Sequence, residues 1–205
     1  MPLVSILIPF KNTALYLVEC LDSIQAQEYR NWEVLAVDDS SLDNSWEIVS
    51  NYARTDPRFK VIKNNGGGII EALRTAYHHC KGTLITRMDS DDIMSTDKIG
   101  TMVNFLIKKG LGHVAVGQVR YFSNRGISNG YARYEAWLNK LTAKGTNYAE
   151  IYKECAIPSP CWMVFKEDLQ NCGAFEPDRY PEDYDLTFRF YENGLKCIPC
   201  NKVLH

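Results

Sequence analysis

The sequence has no long apolar run and no recognisable leader. None of its 205 residues lies in an uninterrupted apolar stretch of the ~18 residues that a membrane-spanning helix needs. The first residues include no basic region and no small-residue cleavage site, which is not the pattern of a signal peptide. We therefore expect a globular protein whose first residues belong to its core.

Neither sign of charge dominates, and two common nucleotide-binding motifs are missing. Lys and Arg number 23 against 25 Asp and Glu, for a net charge of −2, so a nucleic-acid partner is not expected. There is no G-x-G-x-x-G and no Walker A loop, which weighs against NAD enzymes and P-loop ATPases. Three glycines at 66–68 allow close approach of the backbone to a ligand, or simply a flexible turn.

Cysteine is too sparse and scattered for a disulfide scaffold. There are seven cysteines, an odd number, and the single C-x-x-C of Cys197 and Cys200 has no second pair with the spacing of a zinc site. This pattern predicts buried, reduced thiols in a cytoplasmic protein.

Strands and helices alternate through the first half of the chain. Near-continuous apolar runs predict buried strands, and apolar residues at helical spacing predict the helices between them. Such alternation indicates an α/β domain with a mainly parallel central sheet flanked by helices. After Asp92 the pattern loosens, which suggests two halves of one domain, 1–92 and 93–205. The predicted strands are 4–10, 33–37, 59–62, 83–88 and 114–122, and the predicted helices are 15–24, 43–53, 69–80, 96–109 and 182–193.

The predicted strand ends are the places to look for a ligand, because parallel sheets bind ligands beyond the carboxyl ends of their strands. Those ends are Pro9 to Asn12, Asp38 to Ser41 and Asp89 to Asp92. Two of the three are acidic. They would repel a nucleotide phosphate unless a divalent cation lay between them.

Asp89-Ser90-Asp91-Asp92 directly follows the fourth predicted strand. Paired carboxylates suit Mg²⁺ or Mn²⁺, which prefer oxygen ligands and often share their coordination with substrate phosphates. A solvated acidic loop, with Asp92 capping the next helix, explains the same residues without a metal. The repulsion among three carboxylates favours the metal site, because a bound cation would remove it.

Two further acidic groups have both a structural and a functional interpretation. Asp38 and Asp39 can form a turn, while one of them accepts a hydrogen bond from a ligand such as the imide N–H of uracil. Glu182 and Asp183 open a predicted helix, where the helix dipole stabilises carboxylates. Asp183 is also a candidate general base, because an attacking sugar hydroxyl must lose its proton.

Four strings together resemble glycosyltransferase family 2, whose members have the GT-A fold. They are Val4-Ser-Ile-Leu-Ile-Pro-Phe-Lys-Asn12, Val37-Asp-Asp-Ser-Ser41, the stretch 82–93 with its Arg-Met-Asp-Ser-Asp-Asp core, and Gly173-Ala-Phe175 followed by Glu182-Asp183-Tyr-Asp-Leu186. The Arg-Met-Asp form is typical of one bacterial subgroup. The similarity extends over nearly the whole chain.

The resemblance implies an inverting transferase that takes a sugar from a nucleotide diphosphate, most simply a UDP-sugar, with Mn²⁺ or Mg²⁺ as cofactor. Asp183 would be the catalytic base, and Glu182 and Trp162 would lie on the acceptor side. Asp89, Asp91 and His205 would hold the metal. The implied donor-binding residues are Pro9, Phe10, Lys11, Asn12, Asp39, Gly67, Arg87, Asp89 and Ser90.

Some features depart from the resemblance or leave alternatives. Lys11 stands where many relatives have a base-stacking tyrosine, and Arg74 replaces a frequent asparagine. The chain stops at His205, where relatives often continue, so a C-terminal segment is expected to be missing. Relatives commonly build surface polysaccharide or lipopolysaccharide on glycan or lipid-linked acceptors, which implies peripheral contact with the cytoplasmic membrane face.

Two other functions and one ambiguous segment stay open at this point. A magnesium-dependent phosphatase or phosphotransferase also uses D-x-D, although after its first strand, and an inactive nucleotide-sugar-binding protein would share the motifs. Aromatic residues crowd the stretch 121–148, where they form either a carbohydrate platform or the core of the second half.

Overall fold

The computed structural model describes residues 1–123 and 126–205 of the chain. Its centre is a seven-stranded sheet with the order β3-β2-β1-β4-β6-β5-β7. The first half contains β1 (Val4–Phe10), α1 (Ala14–Gln25), β2 (Trp32–Asp38), α2 (Ser45–Thr55), β3 (Phe59–Lys63), α3 (Ile69–His79) and β4 (Leu84–Arg87). The second half contains α4 (Lys98–Lys109), β5 (His113–Gln118), α5 (Asn129–Lys144), a 3-10 turn (Asn147–Glu150), β6 (Trp162–Phe165), α6 (Lys166–Asn171), α7 (Glu182–Glu192) and β7 (Lys196–Val203).

The first half confirms the predicted alternation. Every residue of β1 and β2 is buried, because the sheet is covered on both faces. Side chains alternate between the faces: Ile6 and Ile8 join the core under α1, α2, α4 and α5, whereas Leu7 joins the core under α3, α6 and α7. β1 pairs in parallel with β2 and β4, and β2 pairs in parallel with β3.

The strands and helices of the second half differ more from the predicted ones than those of the first half do. β6 runs antiparallel between β4 and β5, and β7 returns parallel to β5, so the sheet is mainly but not wholly parallel. The strand predicted over 114–122 ends at Gln118. Helix α5 and strands β6 and β7 were not predicted. β7 includes Pro199, which an edge strand tolerates because one side of it needs no backbone donor.

The state of the cysteines and the character of the helices bear on two of the compositional expectations. All seven cysteines are free thiols, and six of them are buried. Within residues 1–123 and 126–205, no helix is long and apolar enough to cross a membrane.

Candidate active site

The carboxyl ends of β1, β2 and β4 meet at one edge of the sheet. Parallel pairing places Phe10 beside Asp38 and Leu7 beside Arg87, so the segments that follow these strands emerge together. Two clefts open at this edge, and their junction along the chain is Asp89-Ser90, because Ser90 lines the first cleft and Asp89 lines the second. The first cleft is lined by Pro9, Phe10, Lys11, Asp39, Ile69, Ala72 and Ser90. The structure thus brings together five of the predicted donor-binding residues.

Asp39 contributes a carboxylate to the first cleft, and three neighbouring groups bond to it. Its Oδ1 accepts hydrogen bonds from Asn64 Nδ2 and the Gly68 amide, both at 2.9 Å, and its Oδ2 lies 3.0 Å from Lys11 Nζ. Burial opposes its ionisation, but the bonds from Lys11, Asn64 and Gly68 outweigh burial and keep the pKa of Asp39 below its usual range. The first cleft therefore contains the ionised carboxylate of Asp39 beside the partly exposed ammonium group of Lys11.

Asp38 takes the structural role that the sequence left open between the two aspartates. Its Oδ1 accepts a hydrogen bond of 3.0 Å from the Ser41 amide and so closes a turn after β2. Asp38 therefore shapes the loop, while the neighbouring Asp39 faces the first cleft.

Two predicted donor contacts have other positions. Asn12 has a left-handed backbone, with φ at 53°, and its side-chain oxygen accepts a bond of 2.7 Å from the Leu42 amide. Asn12 therefore joins two loops instead of lining the cleft. Gly67 is exposed and touches neither cleft, and the adjacent Gly68, with φ at 89°, is the glycine that contacts Asp39.

Arg87 differs from its predicted role as a donor contact. Its side chain is 7% exposed, and its guanidinium bonds to Asp89 Oδ1 through Nε at 2.9 Å and to Glu182 Oε1 through NH1 at 2.8 Å. A buried arginine with two carboxylate partners has little reach toward a ligand. Glu182, predicted on the acceptor side, is likewise committed to this ion pair.

The second cleft contains the predicted catalytic base. Asp183 lies in the first turn of α7, and its Oδ1 accepts a hydrogen bond of 2.8 Å from the Tyr184 amide. Burial and the Glu182 charge raise the pKa of Asp183, with Arg87 opposing them. This shift makes Asp183 a stronger base than an ordinary aspartate. The lining residues are Asp89, Asp92, Val119, Arg120, Tyr121, Tyr134, Cys155, Ile157, Pro158, Ser159, Pro160, Asp183 and His205.

His205 lies at the inner wall of the second cleft. Its side chain is 6% exposed, its Nε2 lies 3.0 Å from Asp92 Oδ2, and its Nδ1 lies 3.1 Å from Lys98 Nζ. Lys98 is fully buried and also donates to the Pro160 carbonyl. Burial and the Lys98 charge lower the pKa of His205, which keeps the ring neutral near pH 7. The sequence did not predict Lys98 as a site residue, because its context is that of an ordinary lysine in a helix and does not indicate burial beside a cleft.

Asp91 is exposed and has no ion-pair partner in the described parts of the chain. It opens on a surface depression that shares Asp92, Arg120 and Tyr121 with the second cleft. Partial burial and the charges of Asp92 and Asp89 raise the pKa of Asp91.

The prediction of Trp162 as an acceptor contact is wrong. The residue is 3% exposed and packs edge-on against Phe190, with ring centroids 5.7 Å apart, in the core under α7. Tyr148 belongs to the same core, but Tyr121 and Tyr134 line the second cleft. The aromatic stretch 121–148 therefore contributes both to the core and to the site.

One family profile matches most of the chain. The profile of Glycosyl transferase family 2 matches residues 5–173. The chain belongs to glycosyltransferase family 2. Membership of this family favours sugar transfer over the phosphatase and phosphotransferase alternatives.

Two curated relatives resemble this glycosyltransferase over nearly its whole length. The glycosyltransferase GlyG of Streptococcus pneumoniae serotype 4 is 30% identical over 209 residues, which cover 99% of this chain and 69% of GlyG. WfgD of Escherichia coli, a UDP-Glc:alpha-D-GlcNAc-diphosphoundecaprenol beta-1,3-glucosyltransferase, is 28% identical over 203 residues, or 98% of this chain and 75% of WfgD.

A solved structure shows that the fold is GT-A. The mannosyltransferase PcManGT of Pyrobaculum calidifontis, in complex with GDP-Man and Mn²⁺, superposes with a TM-score of 0.78 at 21% identity. The superposition covers 100% of this chain and 56% of PcManGT. The chain spans 69% of GlyG and 75% of WfgD. It spans 21% of the chondroitin synthase of Pasteurella multocida, to which it is 32% identical over 219 residues.

Proposed function

We propose that this glycosyltransferase transfers a sugar from a UDP-sugar to a hydroxyl of a glycan or lipid-linked acceptor, with inversion at the anomeric carbon. One observation carries the proposal: the consecutive residues Asp89 and Ser90 line different clefts at the same edge of the sheet, with Asp39 in the first and Asp183 in the second. A donor whose base lies in the first cleft would present its sugar toward the second. Direct attack from the Asp183 side would then invert the anomeric centre.

In the first cleft, Asp39 is the residue suited to a uracil ring. Its carboxylate stays ionised, and it can accept the imide N–H as a charge-assisted hydrogen bond. Phe10, Ile69 and Ala72 supply apolar walls for a flat base. Lys11, at the mouth of the cleft, is placed to approach the diphosphate once the donor competes for Asp39.

Asp39→Asn tests this assignment with little disturbance of the loop. Asparagine keeps Oδ1, which accepts from Asn64 and Gly68, and replaces only the Oδ2 that faces Lys11. We expect UDP affinity to fall about 10- to 100-fold, the effect of losing a hydrogen bond to a charged group. Isothermal calorimetry would measure it, with Asp178→Asn, an exposed aspartate outside both clefts, as the control. Equal UDP affinity in the parent and Asp39→Asn would contradict the role.

The residues present fit a divalent cation at the junction of the clefts. His205 Nε2 lies 3.0 Å from Asp92 Oδ2 at the wall of the second cleft, and both Arg87 contacts to Asp89 fall on Oδ1, which leaves Asp89 Oδ2 outside that ion pair. No group of three His, Cys, Asp or Glu side chains forms a ready metal cage within residues 1–123 and 126–205. Asp89, Asp91 and His205 would hold Mn²⁺ or Mg²⁺ jointly with the donor, since Mg²⁺ commonly combines one or two carboxylates with substrate phosphates. The ion would offset negative charge on the leaving diphosphate.

The protein's own residues supply the remaining chemistry. Asp183, with its raised pKa, would take the proton from the acceptor hydroxyl as that oxygen attacks. Asp183 lies in a cleft walled by Ile157, Pro158 and Pro160, whose apolar atoms exclude water from one side of the site. Ser159 Oγ, buried without a hydrogen-bond partner among the described residues, is available to an acceptor hydroxyl.

The acceptor class rests on the relatives and on the second cleft. By its name, WfgD transfers glucose to a GlcNAc residue linked to diphosphoundecaprenol, which is a lipid-linked acceptor. Tyr121 and Tyr134 give the second cleft the aromatic wall that sugar rings contact. An acceptor of this kind would bring the glycosyltransferase to the cytoplasmic face of the membrane, in surface polysaccharide synthesis.

A thermal-shift screen tests the proposal as a whole. UDP, GDP and a panel of UDP- and GDP-sugars are compared with and without Mn²⁺. We expect UDP compounds to raise the Tm and Mn²⁺ to increase the rise, because a ligand stabilises only the state that it binds. A rise with GDP compounds alone would replace the donor assignment, and no rise with any nucleotide would overturn the proposed function.

A further inference from the structure

Arg87 forms a buried bridge between the two sides of the site. It is the last residue of β4, and only 5% of the residue is exposed. Its Nε and NH2 lie 2.9 and 2.8 Å from Asp89 Oδ1, and its NH1 lies 2.8 Å from Glu182 Oε1. The two carboxylates are 93 positions apart in the chain, so a single guanidinium connects β4 to the first turn of α7.

Both partners are sequence neighbours of residues with proposed chemical roles. Asp89 precedes Ser90, which lines the first cleft, and Asp91, a proposed metal ligand. Glu182 precedes Asp183, the proposed base, at the start of α7. Movement of the Asp89 carboxylate would therefore reach Asp183 through two short, charge-assisted hydrogen bonds.

We propose that Arg87 is a positioning residue that couples occupancy of the donor site to the position of Asp183. The proposal rests on the proposed function, because it needs a donor at the acidic strand ends. Donor binding would fix Asp89, Asp89 would fix the guanidinium, and the guanidinium would hold Glu182 and the first turn of α7. The base would thus reach its working position when the donor is bound.

The geometry supports coupling more than simple stabilisation. A buried ion pair contributes little net stability, because desolvation cancels most of the attraction, but removing one partner leaves an uncompensated charge. Arginine's planar fork binds two carboxylates in fixed directions, whereas a lysine ammonium acts as a point charge. Lysine at position 87 would keep the charge and lose the bridge.

Hydrogen exchange of the α7 segment 182–192 reports on the coupling without needing the acceptor. In the parent chain, UDP with Mn²⁺ should slow amide exchange in the first turn by about fivefold or more, the lower range of typical site-to-site coupling. Glu182→Ala removes only the α7 arm and leaves the Arg87–Asp89 contact. We expect it to bind UDP as the parent does and to lose the slowed exchange. Arg87→Lys should lose the slowed exchange and weaken UDP binding as well.

Two further variants separate coupling from general loosening of the helix. Glu182→Gln retains a side-chain oxygen that accepts a hydrogen bond from Arg87. It should therefore keep part of the slowed α7 exchange that Glu182→Ala loses. Asp185→Asn removes another carboxylate from the same turn, one paired with Arg189 instead of Arg87, and should leave the UDP response unchanged. All variants are first compared by thermal unfolding, so that a folding defect is recognised.

The outcomes distinguish this inference from the function on which it rests. If the parent binds neither UDP nor GDP in the presence of Mn²⁺, the donor assignment fails and the coupling fails with it. If the parent binds UDP but α7 exchange does not slow, or slows equally in Glu182→Ala, the donor site stands and the coupling is overturned.

Discussion

Asp183→Asn is expected to bind UDP like the parent chain and to lose sugar transfer by about 10²- to 10⁴-fold, the usual contribution of a general base. Asparagine matches the shape of aspartate and keeps the oxygen that accepts from the Tyr184 amide, but it cannot take a proton. Because Asp183 lines the second cleft only, the nucleotide in the first cleft should be unaffected. Calorimetry with UDP and a radiolabelled transfer assay measure the two properties on the same sample.

The matched control for this prediction is Asp185→Asn. Asp185 lies in the same turn of α7 and pairs with Arg189 and Arg179, away from both clefts. It should retain transfer activity. Turnover in Asp183→Asn equal to that of the control would show that the base lies elsewhere. Transfer absent from the parent chain as well would favour the inactive nucleotide-sugar-binding protein that the sequence left open.

The same residue predicts the direction of the pH dependence. Only ionised Asp183 can accept the proton, so kcat/KM should fall as the pH drops through its pKa. Burial and the Glu182 charge raise that pKa above the ordinary aspartate value of about 3.9. The acidic limb of a kcat/KM profile should therefore lie above about pH 4 and disappear in any residual activity of Asp183→Asn.

The first half of the fold could be predicted because its pattern is local. Both β1 and β2 are buried on two faces, so their sequences are near-continuous apolar runs, interrupted by Ser5 and Glu33, which bond to each other. The second half depends on tertiary packing. β6 is four residues long, the edge strand β7 has no regular polar alternation, and α5 carries the exposed Tyr131, so none has a strong local pattern.

The clustering of the acidic residues at one edge follows from the sequence more directly than the contacts of their partners do. Asp39, Asp89 and Asp183 follow strands or begin a helix, and topology alone brings such positions to one edge. The direction in which a side chain points does not follow from the order of strands and helices. Arg87 turns inward to two carboxylates, and Trp162 packs into the core, because contacts distant in the chain determine where a side chain points.

Of the three neighbouring carboxylates Asp89, Asp91 and Asp92, Asp91 has no ion-pair partner in the described parts of the chain. We therefore expect Asp91 to be the main metal ligand. Asp89 is paired with Arg87, and Asp92 lies beside His205, whereas the charges that act on Asp91 are those of Asp92 and Asp89. Burial and those charges raise the pKa of Asp91, so the carboxylate is held at an electrostatic cost. A cation bound there would remove the cost, and the same cation would attract the donor diphosphate.

Asp91→Asn should therefore abolish the effect of Mn²⁺ on UDP binding and leave the metal-free affinity nearly unchanged. In the parent, Mn²⁺ should tighten UDP binding about 10- to 100-fold, since a metal supplies charge stabilisation of several kcal/mol that hydration partly offsets. Calorimetric titrations of UDP in Mn²⁺ and in EDTA measure the ratio for each variant, with Asp178→Asn as the control. If Mn²⁺ does not change the UDP affinity of the parent chain, the assignment of Asp91 as a metal ligand is contradicted. A ratio that survives in Asp91→Asn would instead move the ion to Asp89 and His205, the remaining ligands at the junction of the clefts.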